Sequence, residues 1–172
     1  MLREITGDPG SGAFIKNVPF FPQTDYMCGP AALASLVSYW DDGSFKEEAG
    51  ETQAIAGEIY SAKLKGTLPM DMLIYAKKKG FDVVYYRGGM DDLREKVRDG
   101  YPLILFLNLG FRSYPVGHYI VVVGYSDAAK SVVVHSGTRQ EDTWTYSELE
   151  KAWSKTDYST LFLRPKAAPD AP

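Results

Sequence analysis

One cysteine and two histidines are the residues of this chain that could attack an electrophile or exchange a proton near neutral pH. Cys28 opens the run Cys28-Gly29-Pro30-Ala31-Ala32-Leu33, in which Pro30 suits the first turn of a helix. A helix N-terminus presents unpaired N–H groups and partial positive charge, and both favour a thiolate. The thiolate is the attacking form of cysteine, so this position predicts a nucleophile reacting below the free-thiol pKa of roughly 8.5. Such a nucleophile needs a base to take its proton and return it to a leaving amine. His118 follows Gly117 and opens the apolar run Tyr119-Ile120-Val121-Val122-Val123, a strand end that can hold an imidazole at a cleft. His135 closes the next strand and reads as an ordinary strand-end polar residue. Acyl transfer also needs donors for a developing oxyanion. Gln23, on the loop leading into Cys28, can aim its amide at the space faced by the Cys28 backbone N–H. Asp25 and Tyr26 border the nucleophile, and Tyr114 with Pro115 precedes His118, so these residues are candidates to line a substrate cleft. Each has a plainer explanation alone, a buried thiol or a loop amide; the combination points to chemistry.

The elements that must position these groups follow from local signals. Val18-Pro19-Phe20-Phe21-Pro22 is extended, because two prolines forbid a regular helix. Ala32, Leu33, Leu36, Val37 and Trp40 share one face of a helix from Cys28 to Trp40. Further helices are predicted over Thr52–Leu64, over Pro69–Lys79 with Gly80 as its stop, and over Met90–Arg98 before Gly100. Strands are predicted at Phe81–Tyr86, Pro102–Leu107, His118–Tyr125, Ser131–His135 and Ser159–Leu163. Thr145 with Glu148 three residues on forms a capping box for a helix ending near Trp153. Residues 1–17 read as a loose arm, 18–164 as the domain, and 165–172 as a disordered Pro/Ala tail. Helices come first and hairpin-linked strands later, an α+β order with N-terminal helices packed on a mainly antiparallel sheet.

Composition narrows the function classes. At 172 residues the chain suits one domain. Its 12 Tyr, 8 Phe and 3 Trp argue for an ordered core. A net charge of −3 without a basic cluster speaks against nucleic acid as a partner. A single thiol and two histidines cannot build a multi-cysteine zinc site. No apolar run approaches the roughly 20 residues of a membrane span. One cysteine forbids an intrachain disulfide, which fits a reducing compartment. Met1–Asn17 lacks a signal-peptide core, so the chain reads as soluble, cytoplasmic or else exported after removal of a signal. Oligomeric state is not encoded in these features.

The blocks Val18-Pro19-Phe20-Phe21-Pro22-Gln23, Cys28-Gly29-Pro30-Ala31-Ala32-Leu33 and Gly117-His118-Tyr119 through Gly124-Tyr125 resemble the bacteriocin-processing, or double-glycine-leader, peptidases of the papain-like superfamily. The resemblance covers roughly residues 18–137. It implies a papain-like cysteine peptidase fold, Gln23 as oxyanion donor, Cys28 as nucleophile, His118 as base, peptide or protein substrates and no metal or other cofactor. Family members usually place an Asp at the end of the strand after the histidine strand, where it orients the imidazole. Here Ser136 holds that place, without charge. Asn108-Leu109-Gly110 and the His135-Ser136-Gly137 ending resemble a bacterial subgroup of standalone homologues. Two alternatives stand beside a peptidase: a peptide-binding module without turnover, and a transamidase or amidase on the same scaffold.

Overall fold

The computed structural model describes residues 11–22, 26–41 and 50–167. In chain order the elements are β1 (Gly12–Phe14), α1 (Cys28–Trp40), α2 (Gly50–Ile59), β2 (Tyr60–Ser61), β3 (Gly66–Thr67), α3 (Pro69–Lys78), β4 (Phe81–Arg87) and α4 (Met90–Arg98). They continue with β5 (Leu103–Asn108), β6 (Gly117–Ser126), β7 (Ser131–Ser136), β8 (Arg139–Thr145), α5 (Tyr146–Trp153), a 3₁₀ turn at Ser154–Thr156, and β9 (Ser159–Pro165). The main sheet runs β4-β9-β5-β6-β7-β8, with β1 added to β6 beyond the end of β5. Its pairings among the described residues are antiparallel, as the α+β reading requires.

Helices α1 and α4 pack on β5 and β6, and α5 on β5 and β8. In β6 every residue from Tyr119 to Ser126 is buried, which means that both sheet faces are covered there. Alternation of side chains across a strand leaves no other explanation. The helix α1 is likewise buried from Gly29 to Val37, so it runs through the interior and not along a surface. The one-sided stripe read from the sequence is only part of its contact surface. Ala31, Ala32 and Ala34 cover the rest, their small side chains letting neighbours close in.

Local stop signals act where the sequence places them. Gly80 (φ +91°) and Gly100 (φ +85°) adopt the left-handed conformation just past α3 and α4, where a Cβ would be strained. The Thr145–Glu148 capping box forms: Glu148 N–H donates to Thr145 Oγ1 at 3.1 Å, and Thr145 N–H to Glu148 Oε2 at 2.8 Å. Several boundaries differ. The predicted helix over Thr52–Leu64 ends at Ile59, and its last residues turn into the β2–β3 hairpin. Strand β8 is absent from the sequence reading because its residues, Arg139-Gln140-Glu141-Asp142, carry little apolar signal. The loose arm is shorter than read: Gly12–Phe14 pairs with β6, and Ile15 is buried. At the other end β9 runs on to Pro165, and residues 168–172 of the predicted tail lie outside the described residues. Among the described residues no helix is long and apolar enough to cross a membrane.

The C-terminal strand β9 sits between β4 and β5, so the last element closes the sheet. Trp153, fully buried, locks the turn before it by donating its indole N–H to Ser159 O at 3.2 Å. Removing that indole leaves a cavity and should cost about 3–5 kcal/mol. Losing the exposed Thr145 cap should cost about 1 kcal/mol. Urea denaturation of Trp153→Ala and Thr145→Ala checks this, with the larger fall in midpoint expected for Trp153→Ala.

Candidate active site

A cleft of about 510 Å³ lies between the N-terminus of α1, the β2–β3 hairpin and the start of β6. Cys28 and His118 both line it, the first from α1 and the second from β6. One wall is the hairpin with its exit: Leu64, Lys65, Thr67 and Leu68. The opposite wall is Phe106, Val116 and Gly117, and Tyr26 stands at the mouth, 53% exposed and in the left-handed conformation (φ +67°). Glycine is required where the hairpin meets the helix. A Cβ on Gly29 would come within 2.8 Å of Thr67 Cβ, so a side chain there would push the wall away from Cys28. From the sheet side the Tyr119 hydroxyl donates to Thr67 O at 2.8 Å, while its ring packs on Phe106 at 4.7 Å. The same strand thus carries His118 and clamps the wall opposite it.

Among the described residues no side chain caps the N-terminus of α1, whose N-cap is Met27. The sequence expectation was a thiol activated by that terminus; the balance found is different. Burial pushes the Cys28 thiol above its ordinary value, and hydrogen bonds from the backbone N–H groups of Tyr119, Gly29 and Cys28 itself pull it part of the way back. Removing a forming charge from water outweighs the helix terminus here. The hydrogen bond from Tyr119 also places the sulfur against β6, beside the residue that follows His118. Burial holds the His118 imidazole below its usual pKa. Both shifts favour the uncharged form of the group concerned.

His118 Nε2 lies 2.9 Å from Ser136 Oγ. Nδ1 is the ring nitrogen that Ser136 does not contact. The structure sets the other expected site residues as follows. Gln23 and Asp25 lie outside the described residues. Tyr26 is at the cleft mouth. Tyr114 is off the cleft: it is 75% exposed at the tip of the loop between β5 and β6, in a bridge with Phe111, and Val116 from the same loop forms the wall instead. The neck of that loop is closed by Asn108, whose Oδ1 accepts from the Gly110 and Val116 N–H groups, each at 2.9 Å. Lys155 ties it to the 3₁₀ turn by donating to Gly110 O at 2.7 Å.

His135 is buried away from the cleft lining, bonded to Val18 O and to the Glu141 N–H, so it is not the ordinary strand-end polar residue its position suggested. The wall residues Leu64, Thr67, Phe106 and Val116 escaped the sequence reading. Their only local signal was the turn chemistry of Lys65-Gly66 and Asn108-Leu109-Gly110, which marks a bend without saying what it faces.

Comparisons with known proteins bear on this arrangement. A sequence profile of the Peptidase_C39 like family matches residues 15–161. No curated protein sequence matches the chain. Among solved structures, the peptidase domain of Streptococcus ComA, a bi-functional ABC transporter involved in a quorum sensing pathway, is similar with a TM-score of 0.65 and 21% identity, over 87% of this chain and 100% of that one. A Bacillus anthracis protein assigned to the C39-like peptidases is similar with a TM-score of 0.67 and 16% identity, over 91% and 99% of the two chains. A double glycine motif protease from an AMS/PCAT transporter, solved with its leader peptide, gives 0.65 and 16%, over 90% and 99%. At these identities the structural likeness bears on the fold. With the profile spanning most of its length and the antiparallel α+β architecture in agreement, the chain belongs to the Peptidase_C39 like family and has its papain-like fold.

Proposed function

We propose that the chain is a cysteine peptidase that cuts peptide bonds through an acyl-enzyme, with Cys28 as nucleophile, His118 as general base and Ser136 as the group that orients the imidazole. The observation that carries this reading is the shared cleft, where the only thiol of the chain meets an imidazole whose far nitrogen is held by a hydroxyl. In the first half-reaction the Cys28 proton passes to His118 Nδ1 as Sγ bonds to the substrate carbonyl carbon. Negative charge moves to the carbonyl oxygen, where the Cys28 backbone N–H and the Gln23 amide are the proposed donors. Collapse breaks the C–N bond, and the amine leaves with the proton from His118. A water then attacks the thioester, giving one proton to His118; collapse breaks the C–S bond, that proton returns to sulfur, and the carboxylic acid departs and loses its remaining proton to solvent. Tyr26 is proposed to contact the substrate at the cleft mouth, and Asp25 to border it. The substrate is a peptide or protein segment; a leader peptide is bound by one of the similar structures.

A second reading, a peptide-binding module of the same fold without turnover, draws on one observation: the partner of His118 Nε2 is a neutral hydroxyl, which supports an imidazolium less than a carboxylate does. A transamidase or amidase would use the same residues and differ in the acyl acceptor.

The neutral resting pair has a measurable consequence. Burial raises the thiol and lowers the imidazole, and both shifts work against a thiolate–imidazolium pair at rest. Alkylation of Cys28 by iodoacetamide should therefore rise only at and above the ordinary thiol range, without a shoulder at acid pH. A strong acid shoulder would show an ion pair at rest and overturn this description. Peptide hydrolysis lost in Cys28→Ala and in His118→Ala is the direct test of the peptidase reading.

Ser136→Asp tests the orienting place separately. A carboxylate beside His118 Nε2 favours the imidazolium, so the alkylation profile should move to lower pH and peptide hydrolysis should be kept or raised. A folded Ser136→Asp protein that loses all hydrolysis seen in the parent would remove Ser136 from the site.

A further inference from the structure

The second histidine is the chemistry-bearing side chain that the peptidase reading leaves unused. His135 is 2% exposed, with the Phe20 ring edge-on at 5.5 Å. Both of its ring nitrogens meet backbone groups, one on the incoming segment and one on the neighbouring strand β8. Nε2 lies 3.0 Å from Val18 O, and Nδ1 lies 3.2 Å from the Glu141 nitrogen, whose N–H donates to it. A carbonyl can only accept and a backbone amide can only donate. The ring must then carry its proton on Nε2 and a lone pair on Nδ1, which is one tautomer of the neutral form.

The need for that lone pair lies in the register of β7 against β8. Val134 pairs with Asp142 and Ser136 with Arg139. Between these pairs β7 contributes one residue, His135, and β8 contributes two, Gln140 and Glu141. This is a β-bulge, and Glu141 takes the left-handed conformation within it (φ +53°). The imidazole accepts the Glu141 N–H at the bulge. A bulge re-aims the side chains beside it, and the next residue along β7 is Ser136, the one in contact with His118.

We propose that His135 is a positioning residue for the site: its neutral ring pins the β7–β8 bulge, and the pinned bulge holds Ser136 on His118. The proposal rests on the reading of His118 as the base. It carries a pH dependence. A proton on Nδ1 would face the Glu141 N–H donor to donor, unpinning the bulge and releasing Ser136. Among the described residues, the charged group facing the ring is the Glu141 carboxylate on β8, which favours the protonated form. Val18 and Phe20 from the incoming segment, and Val121 opposite on β6, carry no charge. Burial opposes protonation and holds His135 below its ordinary value, so the pin is kept at neutral pH and lost as the solution becomes acid.

The chain has two histidines, so ring-nitrogen NMR of the full-length ¹⁵N-labelled protein resolves the matter without a substrate. As the pH is lowered from 8 until both rings are protonated, the His118 ring nitrogens should move in two steps, one at their own midpoint and one at the midpoint of His135. In His135→Asn the amide oxygen can reach the former Nδ1 place and accept from Glu141 N–H. That variant should show one step at His118 and unchanged Cys28 alkylation by iodoacetamide at neutral pH. His135→Gln keeps a donor toward Val18 and orphans the Glu141 N–H, so alkylation should fall by about tenfold, the factor carried by one hydrogen bond of ordinary net strength. A single step at His118 in the parent protein overturns the proposal, as do equal alkylation rates in the Asn and Gln variants. The parent titration decides the question even if a variant fails to fold. Neither readout needs turnover, so a protein that cuts no peptide would defeat the peptidase reading and leave this inference standing.

Discussion

The site depends on the burial of one helix. From Gly29 to Val37 helix α1 is enclosed on every side, so its first residue, Cys28, is fixed relative to the sheet. An amphipathic surface helix could rock or slide over the core; one enclosed in close-packed interior cannot do so without opening voids. The sulfur therefore meets β6 at a set height, against the Tyr119 N–H, in the cleft that His118 also lines. Everything else in the cleft is placed relative to that contact. The β2–β3 hairpin comes close because Gly29 has no side chain, and Tyr119 holds it from the other side.

That enclosure has an electrostatic cost. The geometry that fixes the sulfur also takes it out of water, and burial raises the thiol more than the backbone donors lower it. His118 is desolvated in the same cleft and moves the opposite way. A neutral thiol beside a neutral imidazole is the outcome, and the charges of an ion pair would have to be made when a substrate arrives. Where burial lowers the local dielectric, such charges interact strongly with fixed N–H dipoles, so donors aligned in advance matter more than a resting thiolate.

The parts of this arrangement legible in the sequence are those written in local chemistry. Pro30 in a first turn, Gly80 and Gly100 past helix ends, the Thr145–Glu148 box and the valine-rich β6 all act where their residue types say they should. Of the residues the family motifs single out, Cys28 and His118 line one cleft, and Ser136 touches His118. What escaped is non-local. Nothing in Ser159–Pro165 says that it will insert between β4 and β5, because that is decided by pairing with strands far away in the chain. Strand β8 is polar because it is a sheet edge with mostly exposed side chains, so period-two apolar alternation is absent. Tyr114 was misjudged for a related reason: adjacency to His118 in sequence does not survive a loop whose neck is closed by Asn108, which sends the tip into solvent. The thiol was misjudged because helix-end chemistry is local and desolvation is not.

On the proposed reading, a hydroxyl at Ser136 in place of a carboxylate can be understood in the same terms. A carboxylate buried beside His118 would itself have to be desolvated, and it repays that cost only while the imidazole is charged. With His118 held neutral by burial, a carboxylate in that position would be an unpaired buried charge for most of the time. A hydroxyl carries no such penalty. It can accept from Nε2–H in the neutral ring and go on doing so when Nδ1 gains a proton, so orientation is kept in both protonation states. What it gives up is Coulombic support for the imidazolium. A pair built this way favours fixed geometry over stored charge, and that places the demand on the strand bearing Ser136 to hold its register, which here is interrupted by a bulge at the preceding residue.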